Sequence, residues 1–151
     1  PFASTECERV LNMALKNLEI AIAEKKARIT HEPLPTVNAD EGQLIQLFQN
    51  LIGNALKFCK DRGPEIHVSA KKETNQWVFS IKDNGIGIAQ DHFGRIFQIF
   101  QRLHTRDEYP GTGIGLAVCK KIVERHKGNL WVTSEVGKGT TFSFTLPPGN
   151  Q

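Results

Sequence analysis

Two asparagines and a lysine share one face of a predicted helix. Asn50, Asn54 and Lys57 lie at spacings i, i+4 and i+7 within residues 43–58, so a helix would point their side chains in the same direction. Asparagine is a poor residue for a helix interior because its side chain competes for main-chain hydrogen bonds. The group is either a solvated helix face or a set of oxygen ligands for a hard divalent cation, beside a lysine that pairs with phosphate.

A carboxylate and a hydroxyl continue two rows of apolar strand residues. Asp83 keeps the inward parity of Phe79 and Ile81, and Thr140 keeps that of Phe142. Burial of a carboxylate at the end of a strand is costly unless it has a partner. The sequence therefore predicts that both side chains lie at the end of a buried row and that Asp83 has a partner.

Two glycine-rich segments supply conformations that a bound ligand would need. Gly85 and Gly87 permit a tight turn and a close main-chain approach directly after the carboxylate. Gly111, Gly113 and Gly115 lead into a helix whose free N–H groups and positive dipole end can hold an anion. A lone glycine pair more commonly marks a loop that needs positive φ, but three glycines at alternate positions before a helix favour a phosphate site.

The two commonest nucleotide-binding motifs do not fit these segments. A Walker A loop is excluded because Gly137-Lys138-Gly139 lacks the upstream glycine and leads into a strand. A dinucleotide fingerprint is excluded because Pro110 and a polar loop, rather than a strand, precede the second glycine segment. The phosphate site is therefore expected to be of another kind.

The hydrophobic periodicity predicts an α+β fold. Helices are predicted over residues 4–26, 40–58, 91–100 and from the second glycine segment to about 127, and strands over 28–32, 36–38, 66–70, 77–81, 130–134 and 140–146, with a turn at 74–75. Ser4 or Thr5 is expected to cap the first helix, and Asp40 to begin the central one. We expect a two-layer sandwich, in which a mixed, mostly antiparallel sheet is covered on one face by three main helices.

Composition restricts the class of protein. With 151 residues, of which 39% are hydrophobic and 23% charged, the chain suits one globular domain. The net charge of +3 is spread along the chain, which does not indicate nucleic acid and fits a small phosphate-bearing ligand. Cys7, Cys59 and Cys119 have neither zinc spacing nor a disulfide pattern and are expected to be reduced thiols of a cytoplasmic domain. No apolar run reaches the ~20 residues of a membrane span, so no membrane contact is expected.

The motifs, taken in order, resemble the catalytic ATP-binding domain of sensor histidine kinases. This domain has the Bergerat fold, in the superfamily shared with type II topoisomerases, mismatch-repair ATPases and heat-shock chaperones. Residues 50–58 resemble the N box, 83–88 the first glycine box, 93–100 the phenylalanine box and 111–116 the second glycine box. Gly139-Thr140 is similar to the terminal Gly-Thr of the family. The resemblance covers nearly all of residues 1–151 and is strongest towards phytochrome-type and PAS-linked kinases.

The resemblance implies a magnesium and phosphate role for the polar helix face. Asn50 and Asn54 would hold a Mg²⁺ ion that bridges the phosphates of ATP, and Lys57 would pair with a phosphate. Arg102, just after the phenylalanine box, would stabilise the γ-phosphate, so Asn50 and Arg102 are the expected catalytic residues. The expected phosphate-binding segment comprises Gly111, Thr112, Gly113 and Gly115.

The resemblance also implies an adenine site at the sheet. Asp83 would accept a hydrogen bond from the exocyclic amine of adenine, with Thr140 supporting it directly or through a water. A donor that arrives with the ligand would explain why this carboxylate tolerates burial. The adenine would be walled by Phe58, Ile88 and Leu116, with Gly85 and Gly87 making room for it, and residues 101–110 would form a lid.

The superfamily includes hydrolases as well as kinases, and one residue separates them. In the ATPases a glutamate four positions before the magnesium asparagine activates water, and Asn50 occupies that position here, so phosphoryl transfer is favoured over hydrolysis. The first hypothesis is a histidine kinase domain that phosphorylates a histidine on a separate dimerisation domain, with a response regulator downstream. The alternatives are a nucleotide-responsive interaction module without phosphotransfer, and an ATPase of the topoisomerase kind.

The chain's own histidines do not suit the role of phosphoacceptor. His31-Glu32 faintly mimics the acceptor motif, but Pro33 follows directly in a strand-like stretch. Core or surface positions are expected for all five histidines: His31, His67, His92, His104 and His126. We therefore expect the phosphoacceptor and sensor domains to lie outside this chain, before Pro1, and the isolated domain to be a monomer.

Overall fold

The structure is a computed structural model that describes residues 2–57, 63–84, 113–135 and 139–147, with the main chain alone at 57, 113–116, 134 and 135. In chain order the described residues form β1 (Ala3–Glu6), α1 (Cys7–Asn17), α2 (Glu19–Lys25), β2 (Arg28–His31), β3 (Thr36–Ala39), α3 (Glu41–Lys57), β4 (Glu65–Glu73), β5 (Gln76–Asp83), α4 (Gly113–Arg125), β6 (Leu130–Glu135) and β7 (Gly139–Leu146). The helix predicted over 91–100 and the loop predicted over 101–110 lie outside these residues. None of the described helices is long and apolar enough to cross a membrane.

The main sheet has five strands in the order β2-β4-β5-β7-β6. Its β2–β4 pair is parallel, and the pairs β4–β5, β5–β7 and β6–β7 are antiparallel. The turn predicted at 74–75 joins β4 to β5, in a register that runs from Glu73 opposite Gln76 to Ile66 opposite Asp83. The prediction of a mixed, mostly antiparallel sheet is confirmed, and β5 is its middle strand.

The central helix α3 packs on the inner face of this sheet. Phe48 makes edge-to-face ring contacts with Phe79 of β5 and Phe144 of β7, at centroid distances of 6.1 and 5.6 Å. Phe79 and Phe144 are stacked on each other at 5.1 Å. Such aromatic pairs contribute about 0.5–1.5 kcal/mol each beyond the burial of their area. The residues that helical spacing places in one apolar stripe of α3 are buried: Leu44, Leu47, Phe48, Leu51 and Ala55. Because α1 and α4 also contact α3, Ile52 and Leu56 are buried beside this stripe.

The single helix predicted over residues 4–26 is wrong at its start. Ala3–Glu6 form β1, which pairs antiparallel with β3 in a separate two-stranded sheet. Thr5 is buried in this sheet and its hydroxyl donates to the main-chain oxygen of Ala39 at 3.2 Å, and α1 has no side-chain cap, so the predicted cap by Ser4 or Thr5 is wrong. Local periodicity could not reveal the pairing because the partner strand lies far along the chain.

The rest of that predicted helix is divided in two. α1 ends at Asn17 and α2 begins at Glu19, with Leu18 between them at φ −105° and ψ 7°. The bend allows Leu18 and Ile22 to pack against the same core as α1. The described residues therefore contain four helices, because the first of the three helices predicted within them is divided.

Candidate functional site

Asp40 begins the central helix, as predicted. Its Oδ1 accepts a hydrogen bond from the main-chain N–H of Gln43 at 3.1 Å, a capping interaction that typically contributes about 1 kcal/mol. This backbone hydrogen bond, helped by the Arg125 guanidinium 3.1 Å from Oδ2, holds the pKa of Asp40 below its usual value of 3.8. Arg125 also donates to Gln43 Oε1 at 2.6 Å. The last turn of α4 is thus joined to the first turn of α3.

His126, directly after α4, makes a second connection of this kind. Its buried ring accepts a hydrogen bond at Nε2 from the main-chain N–H of Asp40 at 3.1 Å, and Nδ1 donates to the main-chain oxygen of Ile122 at 2.8 Å. One nitrogen accepts and the other donates, so both ring nitrogens have a hydrogen-bond partner. Phe2 stacks on the ring at 4.5 Å. These contacts set α3 and α4 antiparallel, so the start of α4 at Gly113 lies towards the C-terminal half of α3.

The two asparagines predicted to bind metal lie in that C-terminal half. Asn54 is buried, and its Nδ2 donates to the main-chain oxygen of Asn50 at 2.9 Å. Asn50 is half-buried; burial raises the pKa of the Cys119 thiol on α4, and the Asn50 side chain acts against this larger effect by lowering the same pKa. Because Asn54 uses its nitrogen along the helix, its carboxamide oxygen is turned away from Asn50, as an oxygen ligand for Mg²⁺ requires. The donor set therefore fits the expected ion.

Asp83 ends the middle strand β5 on the sheet face that α3 covers. It is 7% exposed and stands opposite the buried Ile66 of β4, so the predicted inward parity is confirmed. The main-chain N–H of Thr140 on β7 donates to Asp83 Oδ1 at 3.2 Å, and Thr140 is itself buried. Thr140 therefore supports the carboxylate directly through its main chain. A carboxylate has about four acceptor positions, so Asp83 can accept further hydrogen bonds from a ligand.

Gly139 sets the spacing between β7 and the end of β5. Its φ is +128°, in the region where residues with a side chain are strained. A Cβ at this position would lie 2.1 Å from the main-chain oxygen of Asp83 and 3.1 Å from Cα of Asn84. On the other side, Asn84 Oδ1 accepts from the main-chain N–H of Glu65 at 2.9 Å. The end of β5 is thus held from both neighbouring strands.

The structure describes the side chains of four residues of the predicted site. α3 packs on the sheet face to which Asp83 belongs, and Asn54, Asp83 and Thr140 are buried, whereas Asn50 is half-buried. Outside the described residues lie Phe58, Gly85, Gly87, Ile88, Arg102, Gly111 and Thr112, and only the main chain is described at Lys57, Gly113, Gly115 and Leu116. The roles of these eleven residues stay predictions, as do those of Asn50, Asn54, Asp83 and Thr140.

A depression of about 350 Å³ lies on the outer face of the sheet. Its lining includes His67 and Lys82, which alternate with buried residues of β4 and β5 and therefore point away from the helices. His67 Nδ1 and Thr30 Oγ1 are hydrogen-bonded within it at 2.7 Å. Asp83 and Asn84 also line this depression, so it borders the candidate site at the end of β5, although neither asparagine of α3 lines it.

Sequence reasoning missed the cluster at the start of α3 and the end of α4, for which the sequence holds no local signal. Phe2, Asp40 and the end of α4 are distant in sequence and meet only in the folded chain.

Comparison with known families matches residues 39–150 to the family described as histidine kinase-, DNA gyrase B- and HSP90-like ATPase. The chain is 57% identical over 150 residues to cyanobacterial phytochrome A of Nostoc sp., covering 99% of this chain and 20% of that protein. It is 47% identical over 116 residues to the adaptive-response sensory kinase SasA of Prochlorococcus marinus, covering 76% of this chain and 30% of that protein. The chain therefore spans only part of the length of these relatives.

Two solved structures have a similar fold. The nucleotide-free catalytic domain of histidine kinase ThkA gives a TM-score of 0.83 over 99% of this chain and 97% of that chain, at 23% identity. Full-length ShkA in complex with AMPPNP gives a TM-score of 0.84 over 99% of this chain and 32% of that chain, at 31% identity. The expected arrangement of a mixed sheet covered by helices is confirmed by both.

Proposed function

Since the chain belongs to the histidine kinase-, DNA gyrase B- and HSP90-like ATPase family, we propose that it is the ATP-binding catalytic domain of a sensor histidine kinase. In this proposal the domain transfers the γ-phosphoryl group of ATP to a histidine on a separate dimerisation domain. Its similarity to phytochromes and to a sensory kinase supports the kinase branch of the family over the gyrase and chaperone branches.

The observation that carries the proposal is the buried carboxylate of Asp83. It lies at the end of the middle strand, beneath the helix layer, where burial of a charge is costly without hydrogen-bond donors. Thr140 supplies one donor from its main chain. The exocyclic amine of adenine would supply another, and it would do so only when the base is bound. This combination supports Asp83 as the group that selects adenine, with Phe58, Ile88 and Leu116 proposed as the walls.

The antiparallel helix pair supports the phosphate end of the site. The first N–H groups of α4, from Gly113 onwards, have no partner within their helix and lie towards the half of α3 that carries Asn50 and Asn54. We propose that these asparagines hold Mg²⁺, which when bound would neutralise charge on the phosphates of ATP. Lys57 and Arg102 are proposed to pair with the phosphates.

Transfer rather than hydrolysis follows from the chemistry of Asn50. A carboxamide cannot accept a proton from water as a glutamate can, so no general base is supplied at this position. The proposed partners are the dimerisation and phosphoacceptor domain and a response regulator, and the isolated domain is proposed to be a monomer. Buried free thiols at Cys7 and Cys119 support a reducing, cytoplasmic location.

Asp83→Asn tests the adenine assignment. Asparagine keeps an oxygen for the Thr140 N–H but loses the charge, and a hydrogen bond to a charged group is worth about 1.5–3 kcal/mol, so ATP affinity should fall about 10–100-fold. Titration calorimetry gives the affinity and circular dichroism the fold. Ser143→Ala is the control, because Ser143 is buried on the outer face of the same sheet, and it should bind ATP normally. Unchanged affinity in Asp83→Asn would refute the assignment.

Phosphotransfer is tested by mixing the domain with the dimerisation domain of the same protein and γ-labelled ATP. The proposal predicts phosphohistidine on the dimerisation domain and almost no phosphate release by this chain alone. Tight ATP binding without phosphohistidine would indicate the nucleotide-responsive module instead. Sustained phosphate release by the isolated chain would indicate an ATPase.

A further inference from the structure

We propose that Asn84 is a positioning residue for Asp83. Its side chain accepts the main-chain N–H of Glu65 on β4 and so fixes the end of β5, which carries the carboxylate of Asp83. The inference rests on the proposed function, because it concerns the same adenine site. It adds to that site a residue that lies towards the outer face of the sheet and acts through Asp83.

The sheet itself directs the N–H of Glu65 at Asn84. The main-chain oxygen of Pro64, directly before β4, accepts from the N–H of Arg28 on β2 at 2.8 Å. The N–H of Glu65 belongs to the same planar trans peptide group as that oxygen, so it points the opposite way, towards β5. The register of β4 and β5 brings Asn84 opposite Glu65.

Asn84 meets this N–H with its side chain rather than with its main chain. In a continuing antiparallel ladder the acceptor would be the main-chain oxygen of Asn84. The strand pairing ends one step earlier, at Ile66 opposite Asp83. Instead, Oδ1 of Asn84 accepts from the Glu65 N–H at 2.9 Å. The side chain thus keeps the two strands joined beyond the last main-chain pair and lets the main chain leave the sheet directly after the carboxylate.

Asp83 is consequently held from both neighbouring strands. On the β7 side, the N–H of Thr140 donates to its Oδ1 at 3.2 Å. On the β4 side, the bond between Glu65 and Asn84 fixes the next residue along the chain. Asn84 is half-buried and lines the depression on the outer face, whereas the carboxylate of Asp83 belongs to the face that α3 covers. Loss of the bond would free the end of β5 on one side and let the carboxylate move away from an adenine amine.

Two substitutions remove the bond from opposite ends, and a third keeps it. Asn84→Ala removes the acceptor, and Glu65→Pro removes the donor at the first residue of a strand, where proline is tolerated. Asn84→Asp keeps an acceptor oxygen in the same place. Titration calorimetry of the 151-residue chain with ATP and with purine riboside triphosphate gives the ratio of the two affinities. This analogue has hydrogen where ATP has the exocyclic amine, so the ratio measures recognition of that amine.

We expect Asn84→Ala and Glu65→Pro each to lower the ratio about tenfold, the lower end of what a hydrogen bond to a charged group contributes. Affinity for the analogue should change little. The double variant should have the same ratio as either single variant, because both substitutions remove one and the same bond. Asn84→Asp should keep most of the ratio, since its added charge acts on both nucleotides alike.

Thr145→Val is the matched control. Thr145 Oγ1 accepts from the main-chain N–H of Asn129 at 2.9 Å, so it too is a side-chain acceptor for a main-chain donor near the end of a strand. Its loss should reduce stability about as much as Asn84→Ala does but should leave the ratio of the two nucleotide affinities intact. Thermal unfolding of all the variants gives a temperature at which each is folded for the titration.

A readout without nucleotide separates this inference from the proposed function. The N–H of Thr140 contacts the carboxylate of Asp83, so its amide signal in NMR spectra of the free domain reports the position of that carboxylate. The signal should move in Asn84→Ala and stay in place in Thr145→Val. An unmoved signal in Asn84→Ala, or equal losses of affinity for the two nucleotides, would overturn the inference. A native chain that binds ATP and the analogue equally well would refute the adenine assignment, and the Thr140 signal would still decide whether Asn84 positions Asp83.

Discussion

Gly139→Ala would place a methyl group where the end of β5 now lies. The added Cβ would be 2.1 Å from the main-chain oxygen of Asp83 and 3.0 Å from its carbonyl carbon, whereas ordinary contacts begin at 3.4 Å. These are main-chain atoms, so no side-chain rotation can relieve the overlap and the two strands must separate by more than 1 Å. The φ of +128° adds about 1–3 kcal/mol of backbone strain.

The separation acts directly on the candidate adenine site. It lengthens the hydrogen bond from the Thr140 N–H to Asp83 Oδ1, which is 3.2 Å in the native chain and contributes about 0.5–1.5 kcal/mol. With the strain included, the unfolding free energy should fall by about 2–4 kcal/mol. ATP affinity should fall as well, because the carboxylate leaves its place beside Thr140. Urea denaturation measures the first quantity and titration calorimetry the second.

Gly128→Ala separates damage to the site from general damage to the fold. A Cβ at Gly128 would lie 1.9 Å from the main-chain oxygen of Thr145, at the other end of β7, so the overlap is equally severe. We expect both variants to lose stability, and only Gly139→Ala to lose ATP affinity at a temperature where both are folded. Equal ATP affinity in the two folded variants would refute the reasoning that this junction positions the carboxylate.

The remaining predictions concern stability, acid and thiol reactivity. Gly53→Ala in α3 should raise the unfolding free energy in urea by about 0.5–1 kcal/mol, because the methyl group meets only the Leu18 side chain, at 3.9 Å. The pKa of Asp40 is lowered in the folded protein, so its carboxylate contributes its full stabilisation above its unfolded pKa and loses it as the pH falls through the folded pKa. Asp40→Asn should therefore lose less unfolding free energy than the native chain between about pH 7 and pH 3. The same loss in both proteins would contradict this. Cys7 and Cys119 should resist a maleimide at neutral pH and react only after unfolding, as mass spectrometry of their peptides would report, because burial raises the pKa of both to about 12.

The parts of the fold that follow from local pattern were predictable. Alternation along β5 and β7 predicted that Asp83 and Thr140 face inwards, and the helical stripe around Phe48 predicted the buried side of α3. Asp40 was expected to begin this helix because a short acidic side chain can cap the free N–H groups. Each of these properties depends on neighbours within a few residues, which a sequence displays directly.

The parts that depend on distant partners were not predictable. β1 pairs with β3, and this pairing overrode a helical pattern at the N-terminus. The hydrogen bond between His126 and the main chain of Asp40 exists only because α3 and α4 pack antiparallel in a particular register. For the candidate site, the sequence indicates candidate side chains but not the contacts that orient them, such as the Thr140 N–H that donates to Asp83.

Asp83, the carboxylate of the candidate adenine site, lies on β5, the strand farthest from either edge of the sheet. Two strands flank β5 on each side. Fraying of a sheet starts at its borders, and amides there exchange with solvent first, whereas a central strand opens only when the whole domain does. The surroundings of Asp83 should therefore persist unchanged up to the melting temperature, so that warming weakens base recognition abruptly, together with the fold, and not by degrees.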